Sequence, residues 1–186
     1  MKPRRPSATI DEPIRIVPYD RSWPAVFERE RIILERALGS SVTGGIHHVG
    51  STAVPGLPAK PIIDILVGIE DLESARVHIK PLAALDYVYA PYRRDEMLWF
   101  CKPNPAARTH HLRLVPTGSE RFRDELAFRD YLRQHSECAE AYAKLKKELA
   151  VRFEHDREAY TEAKTDFVRE VARRTQIDSP SYVSNC

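Results

Sequence analysis

The chain has 186 residues, of which 42% are hydrophobic and 30% charged, and a formal net charge of +2. That length suits one ordinary domain with its own core, and the mixture is one of a soluble globular protein, neither a disordered chain nor a membrane one. No apolar run reaches spanning length and the start from Met1 to Pro6 is polar, so the expectation is a cytoplasmic protein with no membrane partner.

The three cysteines, Cys101, Cys138 and Cys186, are odd in number and far apart, which points away from a disulfide framework and a zinc site. Acidic and basic side chains are equally numerous between Glu120 and Arg174, so no block of excess positive charge is available to follow a nucleic-acid backbone. A small anionic ligand suits this balance better than an extended nucleic acid.

In chain order, residues 1–12 are rich in Pro and Arg and lack periodicity, so they read as a disordered arm; residues 177–186 read as a disordered tail. Between them lies one domain, 13–176. Ile14 to Tyr19 alternates like a short strand, and Asp20-Arg21-Ser22 supplies capping chemistry for a helix from Trp23 to about Leu38. Two strands are expected at 46–49 and 61–69, on either side of a loop containing Gly and Pro from Gly50 to Ala59. The second is apolar almost throughout, as a strand buried on both faces must be. A helix is expected from Asp71 to Leu85, then strands at 87–90, 97–102 and 110–115. From Ser119 to about Thr175 the pattern is helical, as three helices breaking near Ser136 and His155. Strands mostly first and helices mostly last give an α+β class.

Asp64 is the most informative residue, because a carboxylate inside Pro61-Ile62-Ile63-Asp64-Ile65-Leu66-Val67 needs a partner as it leaves water. Lys60, a divalent cation, or a histidine or arginine from a neighbouring strand would each serve, and a structural role stands beside a functional one. Gly50-Ser51 ends a strand and opens a loop, where glycine lets the backbone approach a phosphate, although most such pairs are turns. In Arg108-Thr109-His110-His111-Leu112-Arg113, alternation puts His111 and Arg113 on one face and His110 and Leu112 on the other. Arg129 and Arg133, Tyr142 and Lys146, and Tyr160 and Lys164 are each four apart and share a helix face. These cations either converge on an anion or lie on solvated faces.

Taken together, the run from His48 to Ile65, Thr109-His110-His111-Leu112, Phe128 to Arg133, Ala141 to Lys146 and Tyr160 to Lys164 resemble the GrpB family over about Ile14 to Ala172. That family is similar to the polymerase-β-type nucleotidyltransferases, which join a Gly-Ser pair to a strand bearing Asp-x-Asp/Glu and a later third carboxylate. The resemblance implies a nucleotidyltransferase-like, mixed, mainly antiparallel sheet with helices packed on it and a C-terminal helical part. It also implies a nucleotide or other small phosphorylated ligand. Asp64 and His111 would hold Mg²⁺ or Mn²⁺ and carry catalysis; Gly50, Ser51 and Thr52 would grip phosphate, and Lys60, Arg113, Arg129, Arg133, Lys146 and Lys164 would neutralise it. Leu66 stands where the second carboxylate belongs. Two readings follow: metal-dependent nucleotidyl transfer to a small acceptor, or a nucleotide- or phosphate-binding accessory module that serves protein folding or a partner.

Overall fold

A computed structural model describes residues 12–177. The expected arm and tail fall outside the described residues except at Glu12 and at Ile177, which ends the last helix. Five strands form one sheet: β1 (Ile46–Val49), β2 (Ile63–Ile69), β3 (Val88–Ala90), β4 (Leu98–Pro103) and β5 (Arg108–Pro116). Their order is β1-β2-β5-β4-β3, with β2 and β5 parallel and every other neighbouring pair antiparallel. This is the expected mixed, mainly antiparallel α+β sheet.

The apolar run of β2 places it second in the sheet, covered on both faces. On one face Ile63, Ile65 and Val67 pack with Leu112 and Leu114 of β5 and with Trp23, Leu34 and Leu38 of helix α1 (Trp23–Leu38). On the other, Leu66 joins Val49, Met97, Val115 and Phe122, the last from helix α4 (Glu120–Gln134). Asp64 and Leu66 alternate on this second face, so the position that would carry a second carboxylate lies under α4 and is fully buried.

The helical half follows as α5 (Ser136–Arg152), α6 (Arg157–Glu162) and α7 (Thr165–Ile177). The breaks near Ser136 and His155 are present, and a further break at 163–164 makes four helices where three were expected. The Asp71–Leu85 helix is also divided, into α2 (Leu72–Ala75), a 3₁₀ turn and α3 (Ile79–Ala83). Pro81 has no N–H to offer the carbonyl of Val77, so a continuous helix through it would lose a hydrogen bond and clash. The expected Ile14–Tyr19 strand reduces to one bridge, Val17 with Ala59, because Pro13 and Pro18 cannot donate to a ladder.

Loop 50–59 sits where the sheet meets the helical half. Its Val54 and Leu57 are buried among Leu132 of α4, Cys138 and Tyr142 of α5, and Val171 of α7. The loop is thus part of the core joining the two halves, which fixes the geometry of the residues at its ends.

The burial of Leu66 yields a direct test. Leu66→Asp would place an unpaired carboxylate under α4, and urea denaturation should show a loss of about 4 kcal/mol or more. A loss below about 1 kcal/mol would mean that this position is open to solvent or a partner cation.

Candidate functional site

The parallel register sets Asp64 beside His111 and Leu66 beside Arg113, so the alternating residues of β2 and β5 converge on one face. His111 Nδ1 lies 3.1 Å from Asp64 Oδ1, and Arg113 Nη2 donates to the same oxygen at 2.9 Å. Arg113 Nε is 3.3 Å from Glu125 Oε2 on α4, and Glu125 Oε1 accepts from Arg121 Nη1 at 3.2 Å. One guanidinium therefore bridges two carboxylates, one from the sheet and one from a helix. His111 Nε2 is buried without a protein hydrogen-bond partner.

Burial alone would raise the Asp64 carboxyl, but Arg113, the His111 hydrogen bond and Lys60 outweigh it and hold the group well below the usual carboxylate range. Burial depresses the His111 imidazole, against the pull of Asp64. Asp64 is an anion at neutral pH, and it meets nearby cations before any ligand arrives.

Gly50 closes the other side of the carboxylate. It has φ +70°, and a Cβ there would lie 2.5 Å from Asp64 Oδ2 and 3.0 Å from Asp64 Cγ. Only glycine lets the start of the loop come this close to β2.

Three lysines from separate parts of the chain surround this corner. Lys60 precedes β2, Lys146 lies on α5 and is 2% exposed, and Lys164 sits at the break between α6 and α7. Lys60 Nζ and Lys164 Nζ approach the Tyr160 ring centroid to 4.9 and 4.2 Å, and Lys146 Nζ stands 4.9 Å from that of Tyr142. Tyr142 in turn interacts with Ser51. Burial, then repulsion from Lys164 and Lys60, brings the Lys146 amine down to about 7. Burial and repulsion from Lys60 bring Lys164 down to about 7 as well, with Asp64 pulling the other way in both cases.

The remaining candidates are placed differently. Thr52 is 1% exposed; its Oγ1 donates to the Ile62 carbonyl at 3.1 Å and lies 3.0 Å from His48 Nε2. Arg129 Nη1 donates to the His48 carbonyl at 3.1 Å, while Arg133 donates to the Ala53 carbonyl through Nε and Nη2 at 3.0 and 2.8 Å. Lys146 Nζ donates to the Pro58 carbonyl. Arg133 and Lys146 thus hold loop 50–59 by its own backbone oxygens, and Arg129 and Thr52 bind carbonyls on either side of it. Arg129 and Arg133 also line a cleft of about 420 Å³ with Tyr19, Phe27, His47 and His48, a lining that includes neither Asp64 nor the three lysines.

The Asp64 and His111 pair does not fit a divalent cation. Asp64 Oδ1 already receives His111 and a guanidinium, Gly50 backs Oδ2, and a metal would stand against the charge of Arg113. Among the described residues no group of three or more His, Cys, Asp or Glu side chains could hold a metal ion. Glu125 escapes sequence reasoning because nothing local ties it to β5. Its one available signal is the Arg121–Glu125 spacing of four, one helical turn ahead of Arg129.

The sheet order, the Gly-Ser loop entering β2 and the Asp64 face define a nucleotidyltransferase-type fold. The GLD-2/RNP-8 complex shares that fold with a TM-score of 0.56 at 14% identity, covering 88% of this chain and 62% of that one. The chain belongs to the GrpB family, whose GrpB protein model matches residues 13–174. A UPF0157 protein of Pseudomonas aeruginosa is 39% identical over 179 residues, covering 92% of this chain and 71% of that protein. The crystal structure of the conserved protein GrpB from Enterococcus faecalis superposes with a TM-score of 0.79 at 30% identity, covering 87% of this chain and 96% of that one. No helix among the described residues is long and apolar enough to cross a membrane.

Gly50→Ala should cost about 2–3 kcal/mol, combining backbone strain at positive φ with displacement of Asp64. Thermal and urea melts check the size. A substitution that leaves stability unchanged would show that the loop does not press on the carboxylate.

Proposed function

We propose that this GrpB-family protein binds a small phosphorylated ligand of nucleotide size, through Lys60, Lys146, Lys164 and the Gly50-Ser51 turn, as a binding module. The observation that carries this reading is the crowding of three amines against two tyrosine rings in a partly dry corner. Such crowding disfavours the ligand-free protein, and an anion with several oxygens relieves it. Ser51 and its neighbouring amides offer hydrogen-bond donors at the same place. The accessory reading is favoured over metal-dependent transfer by two facts: Leu66 is a core residue at the second carboxylate position, and Arg113 occupies Asp64.

The protonation states give the reading a clear sign. Lys146 and Lys164 titrate near 7 in the fold and at 10.5 as free side chains, so between these values the unfolded chain holds more protons. Stability of the ligand-free protein should therefore rise with pH from about 7 to about 10.5, and the full penalty of the charged amines is present below 7. An anion favours the charged amines, so its affinity should fall as pH rises through 7 and its binding at pH 8 should take up protons.

Calorimetry with ATP, ADP and pyrophosphate in EDTA, in buffers of different ionisation enthalpy, measures this directly. The expected uptake is up to about two protons per complex at pH 8 and much less at pH 6. Lys164→Met should weaken binding by roughly tenfold or more while raising the melting temperature of the ligand-free protein at pH 6. Failure of all three anions to bind would overturn the proposal. Metal-dependent pyrophosphate release from a nucleoside triphosphate, lost in Asp64→Asn, would overturn its non-catalytic part.

A further inference from the structure

The Asp64–Arg113–Glu125 bridge has the charge arrangement of a metal centre with the cation already supplied by the chain. Two carboxylates from different elements, β2 and α4, flank one positive group at 2.9 and 3.3 Å. His111 shares the Asp64 oxygen through Nδ1 and keeps a buried Nε2 without a protein partner. A structural ion pair alone would need neither that unpartnered ring nitrogen nor three further lysines within electrostatic reach of Asp64. Lys164 feels both Asp64 and Arg113, so the amine cluster and the bridge lie within electrostatic reach of each other.

We infer that Arg113 is a built-in replacement for a divalent cation: it neutralises Asp64 and Glu125 and offers the remaining N–H groups of its planar guanidinium to the ligand's phosphate. Arginine suits the task because it is always charged, offers five N–H donors in a fixed fork, and can bond carboxylate and phosphate at once. A lysine would provide a point charge without the bridge. Recognition of phosphate at this site is then independent of added metal, and removing the guanidinium leaves two carboxylates and a histidine short of a cation.

This inference rests on the phosphate-binding reading for its ligand, and the test separates the two. Pyrophosphate binding to the full chain is measured by calorimetry in EDTA and in millimolar Mg²⁺, for the unmodified protein, Arg113→Ala and Arg113→Gln. The glutamine keeps N–H donors without the charge and serves if the alanine variant does not fold. The unmodified protein should bind within about twofold in the two conditions, whereas a folded variant should lose about tenfold or more in EDTA and regain most of it in Mg²⁺. Cation rescue is the decisive sign, since loss of a merely structural pair is not repaired by Mg²⁺.

Binding by the unmodified protein that requires Mg²⁺, or a loss in the variants that Mg²⁺ does not restore, overturns the inference. Unchanged affinity in the variants overturns it as well. If pyrophosphate does not bind the unmodified protein at all, the phosphate reading itself has failed and Mn²⁺ binding, followed by electron paramagnetic resonance, decides the role of Arg113. Mn²⁺ held by a variant and not by the unmodified protein supports the replacement. Mn²⁺ held by the unmodified protein and lost in Asp64→Asn, or held by neither form, refutes it.

Discussion

The Asp64–Arg113 ion pair is the constraint around which the sheet and the helical half are arranged. A carboxylate in an apolar central strand costs several kcal/mol unless charge and hydrogen bonds meet it. Here the partners come from the adjacent parallel strand, so the β2–β5 register cannot slip by one residue without turning His111 and Arg113 away from Asp64. Arg113 then brings a requirement of its own, which Glu125 of α4 meets, and the sheet face is thereby tied to the helix that covers it. The Phe122 contact beneath α4 supplies burial; the charge bridge supplies position.

Loop 50–59 extends this tie into the rest of the molecule. Its carbonyl oxygens at Ala53 and Pro58, and that of His48 just before it, are taken by Arg133, Lys146 and Arg129, from α4 and α5. A loop that enters a core must satisfy such oxygens, and long cations can reach them while their stems pack on apolar neighbours. All three side chains read from sequence as ligand-neutralising cations, and in the structure they bind backbone within the loop or just before it. They set where Gly50 and Ser51 stand relative to Asp64.

Much of this was legible in the sequence because it depends on short-range patterns. The continuous apolar run around Asp64 indicates a strand covered on both faces, and strand alternation alone pairs His111 with Arg113. The spacing of four correctly joins Tyr142 with Lys146. Tyr160 and Lys164 also meet, although the helix breaks between them at 163–164, where the sequence has neither Gly nor Pro to mark the end. Glu125 was not legible, since its partner is on a strand and the pairing follows from how α4 crosses the sheet. The carbonyl partners of Arg129, Arg133 and Lys146 were hidden for the same reason: backbone acceptors leave no residue-type signal.

The contrast between position 66 and position 113 bears on what the fold has kept. Leu66 completes a hydrophobic cluster with Val49, Met97, Val115 and Phe122, so a carboxylate there would have to be bought back with a cation and water under α4. Arg113, two residues along its strand from His111, instead places positive charge where Asp64 needs it and requires no second carboxylate on β2. The lysines complete the pattern: one comes from the start of β2 and two from the helical half, so a ligand that relieves their repulsion must touch both halves at once. On the proposed reading, ligand binding and the docking of the helices on the sheet draw on the same charges. The cations are held together by the Pro58 carbonyl, the rings of Tyr142 and Tyr160 and the charge of Asp64.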